Sequence, residues 1–111
     1  MTEKRKLGRK RKRVKLRFGL ESPEKMAFSD DISAEGIFIK TASPERPGLL
    51  LQLEITLPDE TRVRCQGRIH WAKRVPPNML RLAGKGGMGV HILSFSEGKE
   101  AFLGFVEKLQ R

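Results

Sequence analysis

Two stretches of this chain carry side chains fit for chemistry. Arg9-Lys10-Arg11-Lys12-Arg13 is a run of fixed positive charge, and Asp31-Ile32-Ser33-Ala34-Glu35-Gly36 gathers carboxylates, a hydroxyl and a glycine. The first asks for an anionic partner, because guanidinium and ammonium groups attract phosphates and carboxylates. The second, taken alone, reads as a turn. Asp and Ser hydrogen-bond nearby backbone and start turns, and Gly takes the positive φ that ends one. Phe28 to Ile32 leads into it and Ile37-Phe38-Ile39-Lys40 leads out, so two short strands joined by a polar turn are expected.

Other chemistry is thinly supplied. His70 and His91 are the only histidines and Cys65 the only cysteine, so a structural zinc site lacks ligands. Ser33 has no histidine near it in sequence, and no triad pattern emerges. Asp30 and Asp31, as neighbours on a strand, point to opposite sides. Gly84-x-Gly86-x-x-Gly89 has the spacing of a dinucleotide fingerprint. It follows a loop and precedes a strand, whereas the fingerprint needs a strand before it and a helix after it. No catalytic residue, metal or cofactor is expected, and an enzyme is the least favoured class.

The chain has 111 residues, which suits one domain. Its net charge of +10 is unevenly spread. Residues 1–17 carry +9 and the other 94 carry +1, so a near-neutral body follows a basic arm. Such an arm implies nucleic acid, a nucleotide phosphate, an acidic protein or acidic lipid as partner, with plain solubilisation as the bland alternative. A lone cysteine excludes an intramolecular disulfide. No apolar run is long enough for a membrane span. The charges in Val14-Lys15-Leu16-Arg17-Phe18 exclude a signal-peptide core, and a cytoplasmic location is expected.

The elements that must position these residues are mostly strands. Residues 1–12 have no apolar period and are expected to form a flexible arm before a folded domain at 13–111. Val14, Leu16 and Phe18 alternate with Arg13, Lys15 and Arg17, which is the period of a half-buried strand. Met26–Ile32 and Gly36–Thr41 follow, and then Leu51, Leu53, Ile55 and Leu57 on one parity. Val63, Cys65, Ile69 and Trp71 share the core parity of a long fifth strand, with Gly67 as a bulge, so Cys65 is read as core, Trp71 as core with stacking on a base as the lesser alternative, and His70 as solvated. Met88, Val90 and Ile92 mark the sixth. Ser94 to Glu97 offers helix caps, and Ala101, Phe102, Phe105, Val106 and Leu109 recur at helical spacing. The expected fold is all-β: a six-stranded antiparallel β-barrel with a C-terminal α-helix.

Taken together, these residues resemble the PilZ domain, a bacterial receptor family for cyclic di-GMP. That family is marked by RxxxR just before its first strand and by (D/N)xSxxG after its second. Arg9 to Arg13 matches the first and Asp31 to Gly36 the second. Ile69-His70-Trp71-Ala72, Gly87-Met88-Gly89-Val90 and the closing helix also look like the family. RxxxR occurs again at Arg5–Arg9 and Arg13–Arg17, but the strand alternation begins directly after Arg13, which favours the Arg9–Arg13 pair.

The resemblance implies that Arg9, Arg13, Asp31, Ser33 and Gly36 bind cyclic di-GMP. A guanidinium forks onto guanine O6 and N7, stacks on the base or pairs a phosphate, where Lys offers a point charge. Asp31 would accept from a guanine N–H edge, Ser33 would donate to a phosphate or order the turn, and Gly36 would admit the ligand close to backbone. Binding would draw the arm onto the barrel and signal to a downstream protein partner. Nucleic acid is the lesser candidate partner. One Trp, six Phe and no Tyr, mostly on core parities, make a poor stacking platform. A PilZ-like adaptor that binds no ligand is the third reading.

Overall fold

A computed structural model of the chain describes residues 10–11 by their backbone alone, and residues 13–75 and 86–109 in full. Its strands are β1 (Lys10–Arg11), β2 (Lys15–Gly19), β3 (Lys25–Ile32), β4 (Gly36–Lys40), β5 (Leu50–Thr56), β6 (Arg62–Lys73) and β7 (Gly87–Glu97), followed by helix α1 (Lys99–Leu109). All pairings are antiparallel. The sheet runs β1-β3-β2-β5-β6-β7-β4, and β4 returns to pair with β3. That last pairing closes six strands into a barrel, leaving β1 as a short addition beside β3. Closure removes the open edges that a flat six-stranded sheet would expose.

The alternation seen in the sequence fills the barrel. Leu16 and Phe18, Ile37 and Ile39, Leu51, Leu53 and Ile55, Val63 and Ile69, and Met88 and Val90 all point inward and are buried. Fully burying one such side chain stabilises the fold by about 1.5–3 kcal/mol. Helix α1 adds Phe102 and Val106 to this core, and the Phe102 ring lies 5.4 Å from that of Phe95.

The start of the helix departs from the expectation. Ser94 to Glu97 do not cap it. They belong to β7, where Phe95 stands opposite Cys65 and Glu97 opposite Arg64. The long partner strand β6 holds them extended, and Arg64 reaches Glu97 at 3.7 Å. The helix opens instead after Gly98, whose carbonyl accepts the Phe102 N–H at 2.9 Å.

Four register shifts interrupt the pairing, and two of them decide which residues near the motif turn face outward. In β3 the register shifts between Ser29 and Asp31, so Asp30 is the extra residue and Asp31 stands opposite Phe38. In β6 it shifts between Ile69 and Trp71, with His70 as the extra residue. An inserted residue reverses the parity of everything beyond it.

Candidate ligand-binding site

The polar turn between β3 and β4 is built by its own serine. The Ser33 N–H donates to the Gly36 carbonyl at 2.9 Å, while Ser33 Oγ accepts the Glu35 and Gly36 N–H groups at 3.3 and 3.2 Å. Its hydroxyl therefore orders the turn. Ser33 is buried, as expected of a group already satisfied by backbone. At Gly36 the close approach is made by β7: an added Cβ would sit 2.9 Å from the Val90 carbonyl oxygen. The missing side chain lets β4 and β7 meet just where the turn leaves the barrel.

The basic lead-in runs past this turn. Val14 N–H donates to Ser29 Oγ at 2.9 Å, and the Ser29 N–H donates to the Val14 carbonyl at 2.9 Å. Ser29 is buried, so this exchange fixes where the lead-in departs. Upstream, Lys10 stands opposite Ile32 and Arg11 opposite Asp31. A single lateral row of the sheet thus reads Arg11, Asp31, Phe38, Gly89 and Trp71 across β1, β3, β4, β7 and β6. Register partners share a face, so the motif aspartate and the two aromatic residues belong to one outer face, and the backbone of the basic segment pairs alongside at β1.

Trp71 corrects the sequence reading. It is 49% exposed on that face, outside the core. The bulge at His70 turned it outward, and Ala72 takes over the inward position. Its indole stacks on Phe38 with ring centroids 5.3 Å apart and planes 20° from parallel. Gly89 lies between the two in register, and a Cβ there would come within 2.4 Å of the Trp71 Nε1. Without a side chain at 89, the rings close over the backbone and form a flat, half-exposed shelf.

The shelf borders a cavity of about 390 Å³. Asp30, Asp31, Ser33, Glu35 and Gly36 line it from β3, its turn and the start of β4; Phe38 lines it from β4, and His70, Trp71, Gly89 and His91 from β6 and β7. The expectation that Asp30 and Asp31 diverge is therefore also corrected: the β3 bulge brings both to this cavity. His70 is exposed as expected, and its ring stacks on that of His91 with centroids 5.3 Å apart and planes at 21°. Aromatic shelf, carboxylates and imidazoles together suit a planar, hydrogen-bonding, charged ligand.

Arg13 sits at the margin. Its guanidinium carbon lies 4.1 Å over the centroid of the Phe28 ring, in a neighbouring hollow shared with Met26, Asp30 and Lys40. Asp30 borders both hollows. Arg9 lies outside the described residues. Cys65 is in the core as expected, where burial pushes its thiol from an ordinary value of 9.0 up to about 12. Among the described residues no cluster of His, Cys, Asp and Glu is grouped to hold a metal ion, and no helix is long and apolar enough to cross a membrane.

The sequence matches the PilZ domain over residues 3–107. No curated protein matches it. Among solved structures, the Bacillus subtilis inhibitor of motility (MotI/DgrA) is similar, with a TM-score of 0.73 and 22% identity. The likeness takes in 93% of this chain and 49% of that one, so this chain spans about half the length of that protein. At such identity the likeness speaks for the fold. A closed barrel with a C-terminal helix and a family match along nearly the whole sequence agree: this chain belongs to the PilZ domain family.

Proposed function

We propose that the chain is a cytoplasmic, non-catalytic receptor for cyclic di-GMP that signals to a protein partner through its changed surface. The observation that carries the reading is the lateral row Arg11, Asp31, Phe38, Gly89, Trp71, which joins basic segment, motif and aromatic shelf beside one cavity. Each part answers to a part of the ligand. Guanine N–H edges suit Asp31, a guanine face suits Trp71, and phosphates and the O6/N7 edge suit Arg9 and Arg13. Ser33 and Gly36 act by shaping the turn that presents Asp31.

Binding then draws the part of the arm ahead of β1 over the occupied cavity. Ordering a residue opposes this by roughly 1–2 kcal/mol, so affinity depends on how much of the arm is recruited. The altered arm and barrel surface is what the protein partner reads.

Calorimetric titration of the purified chain with cyclic di-GMP tests the proposal. Saturable binding is expected, with Arg9→Ala and Arg13→Ala each weakening it by about tenfold or more, the scale of a charge-assisted hydrogen bond. Absence of binding by the unaltered chain at micromolar ligand removes the proposal. Affinity that falls steeply with salt and ignores the base points to a nucleic-acid binder instead.

A further inference from the structure

We infer that His70 and His91 form a clamp for one phosphodiester of the ligand, an inference that rests on the cyclic di-GMP reading. The ligand brings two negative charges to a cavity whose motif wall carries three carboxylates: Asp30, Asp31 and Glu35. Donors must face the phosphates. Among the described residues lining the cavity, the side chains with nitrogen donors are the imidazoles of His70 and His91 and the Trp71 indole, from β6 and β7. The neighbouring guanidinium of Arg68, opposite His91 in register, is turned away to the Gly48 carbonyl at 2.9 Å.

The geometry suits two-point capture. The rings are stacked within 21° of parallel, with centroids 5.3 Å apart. Stacking in this way presents two ring edges side by side. A neutral imidazole supplies one N–H donor, and a protonated one supplies two. A phosphodiester has two non-bridging oxygens, one for each ring. The pairing arises from the fold: the bulge at His70 slides it alongside His91, which β7 holds opposite Gly36 of the motif. The clamp thus stands on β6 and β7 beside the motif turn, in the same cavity as the carboxylates that take the guanine edges, and it complements the arginines of the arm.

These are the chain's only histidines, so their ring signals can be followed without ambiguity in a tag-free protein. The test is NMR of the imidazole Cε1–H signals and of ligand ³¹P while the full chain is titrated with cyclic di-GMP. Both ring signals are expected to move saturably, with the dissociation constant found by calorimetry. The two phosphorus signals, equivalent in the free symmetric ligand, should separate on binding. In the His70→Ala/His91→Ala double variant the displaced phosphorus signal should return toward its partner, and affinity should fall about tenfold. His91→Gln, which keeps an N–H donor, should recover part of the loss. Stationary ring signals at saturation, or a double variant binding within twofold of the unaltered chain, overturn the clamp while leaving the receptor reading intact. An unaltered chain that binds nothing overturns both.

Discussion

Arg13 holds its guanidinium 4.1 Å over the ring of Phe28, on the far side of Asp30 from the cavity that the motif turn encloses. The residue expected to grip the ligand is parked one hollow away. A cation held on a half-buried surface ring in this way gains about 0.5–1 kcal/mol. If ligand draws Arg13 off Phe28, that contact opposes binding. Phe28→Leu should then tighten cyclic di-GMP binding by roughly two- to fivefold, measured by calorimetry. Weaker binding would show that Phe28 presents Arg13 to the ligand.

Ser29 anchors the lead-in through its hydroxyl. Ser29→Ala leaves the buried Val14 N–H without the partner it has at 2.9 Å. An unpartnered buried donor costs about 1–3 kcal/mol. Urea denaturation should show a loss of that size with an unchanged slope, because the surface exposed on unfolding stays the same. A loss well below 1 kcal/mol would mean that water or a shifted backbone replaces the hydroxyl.

Gly89 keeps the aromatic shelf flat. A methyl group at that position meets the Trp71 Nε1 at 2.4 Å, so Gly89→Ala must lift the indole off Phe38. Trp71 is the only tryptophan, so its emission reports the displacement directly. Stacking of a base on an aromatic ring is worth about 1–3 kcal/mol, so cyclic di-GMP affinity should fall roughly five- to hundredfold. Unchanged emission and affinity would contradict the shelf.

Cys65 should be inert while the barrel is closed. Burial raises its pKa from 9.0 to about 12, so the reactive thiolate is scarce at pH 8. A thiol reagent at pH 8 should label the native chain slowly and the urea-unfolded chain at the rate of a free cysteine. The same shift has a stability sign. A thiol kept neutral in the folded state leaves stability intact below pH 9.0 and lowers it as pH rises toward 12, because only the unfolded chain ionises there. Fast native labelling at neutral pH would place the thiol outside the core.

The barrel was legible because period-2 alternation is local: Leu16 and Phe18, or Leu51, Leu53 and Ile55, announce their inward face without reference to other strands. The motif turn was legible for the same reason. The helix start was missed because Ser94 and Ser96 look like caps until the length of β6 is known; pairing of Ser94 with Gln66, Phe95 with Cys65 and Glu97 with Arg64 keeps the segment extended. Trp71, Asp30 and the histidine pair depended on bulges, and a bulge belongs to two strands at once. A hint was present in Ala72, an apolar residue on the wrong parity for a strand whose core set ended at Trp71. The glycine at 89 that accommodates the indole lies 18 positions away, and nothing local connects them.

The central claim is that the basic lead-in and the motif cavity act together on one ligand. The emission of Trp71, titrated with cyclic di-GMP in the unaltered chain and in the Arg9→Ala/Arg13→Ala variant, tests it most directly. The account predicts a saturable change in the unaltered chain and none at the same ligand concentrations in the variant. An identical saturation curve in both, or a flat signal in the unaltered chain at concentrations where calorimetry shows it filled, would contradict it.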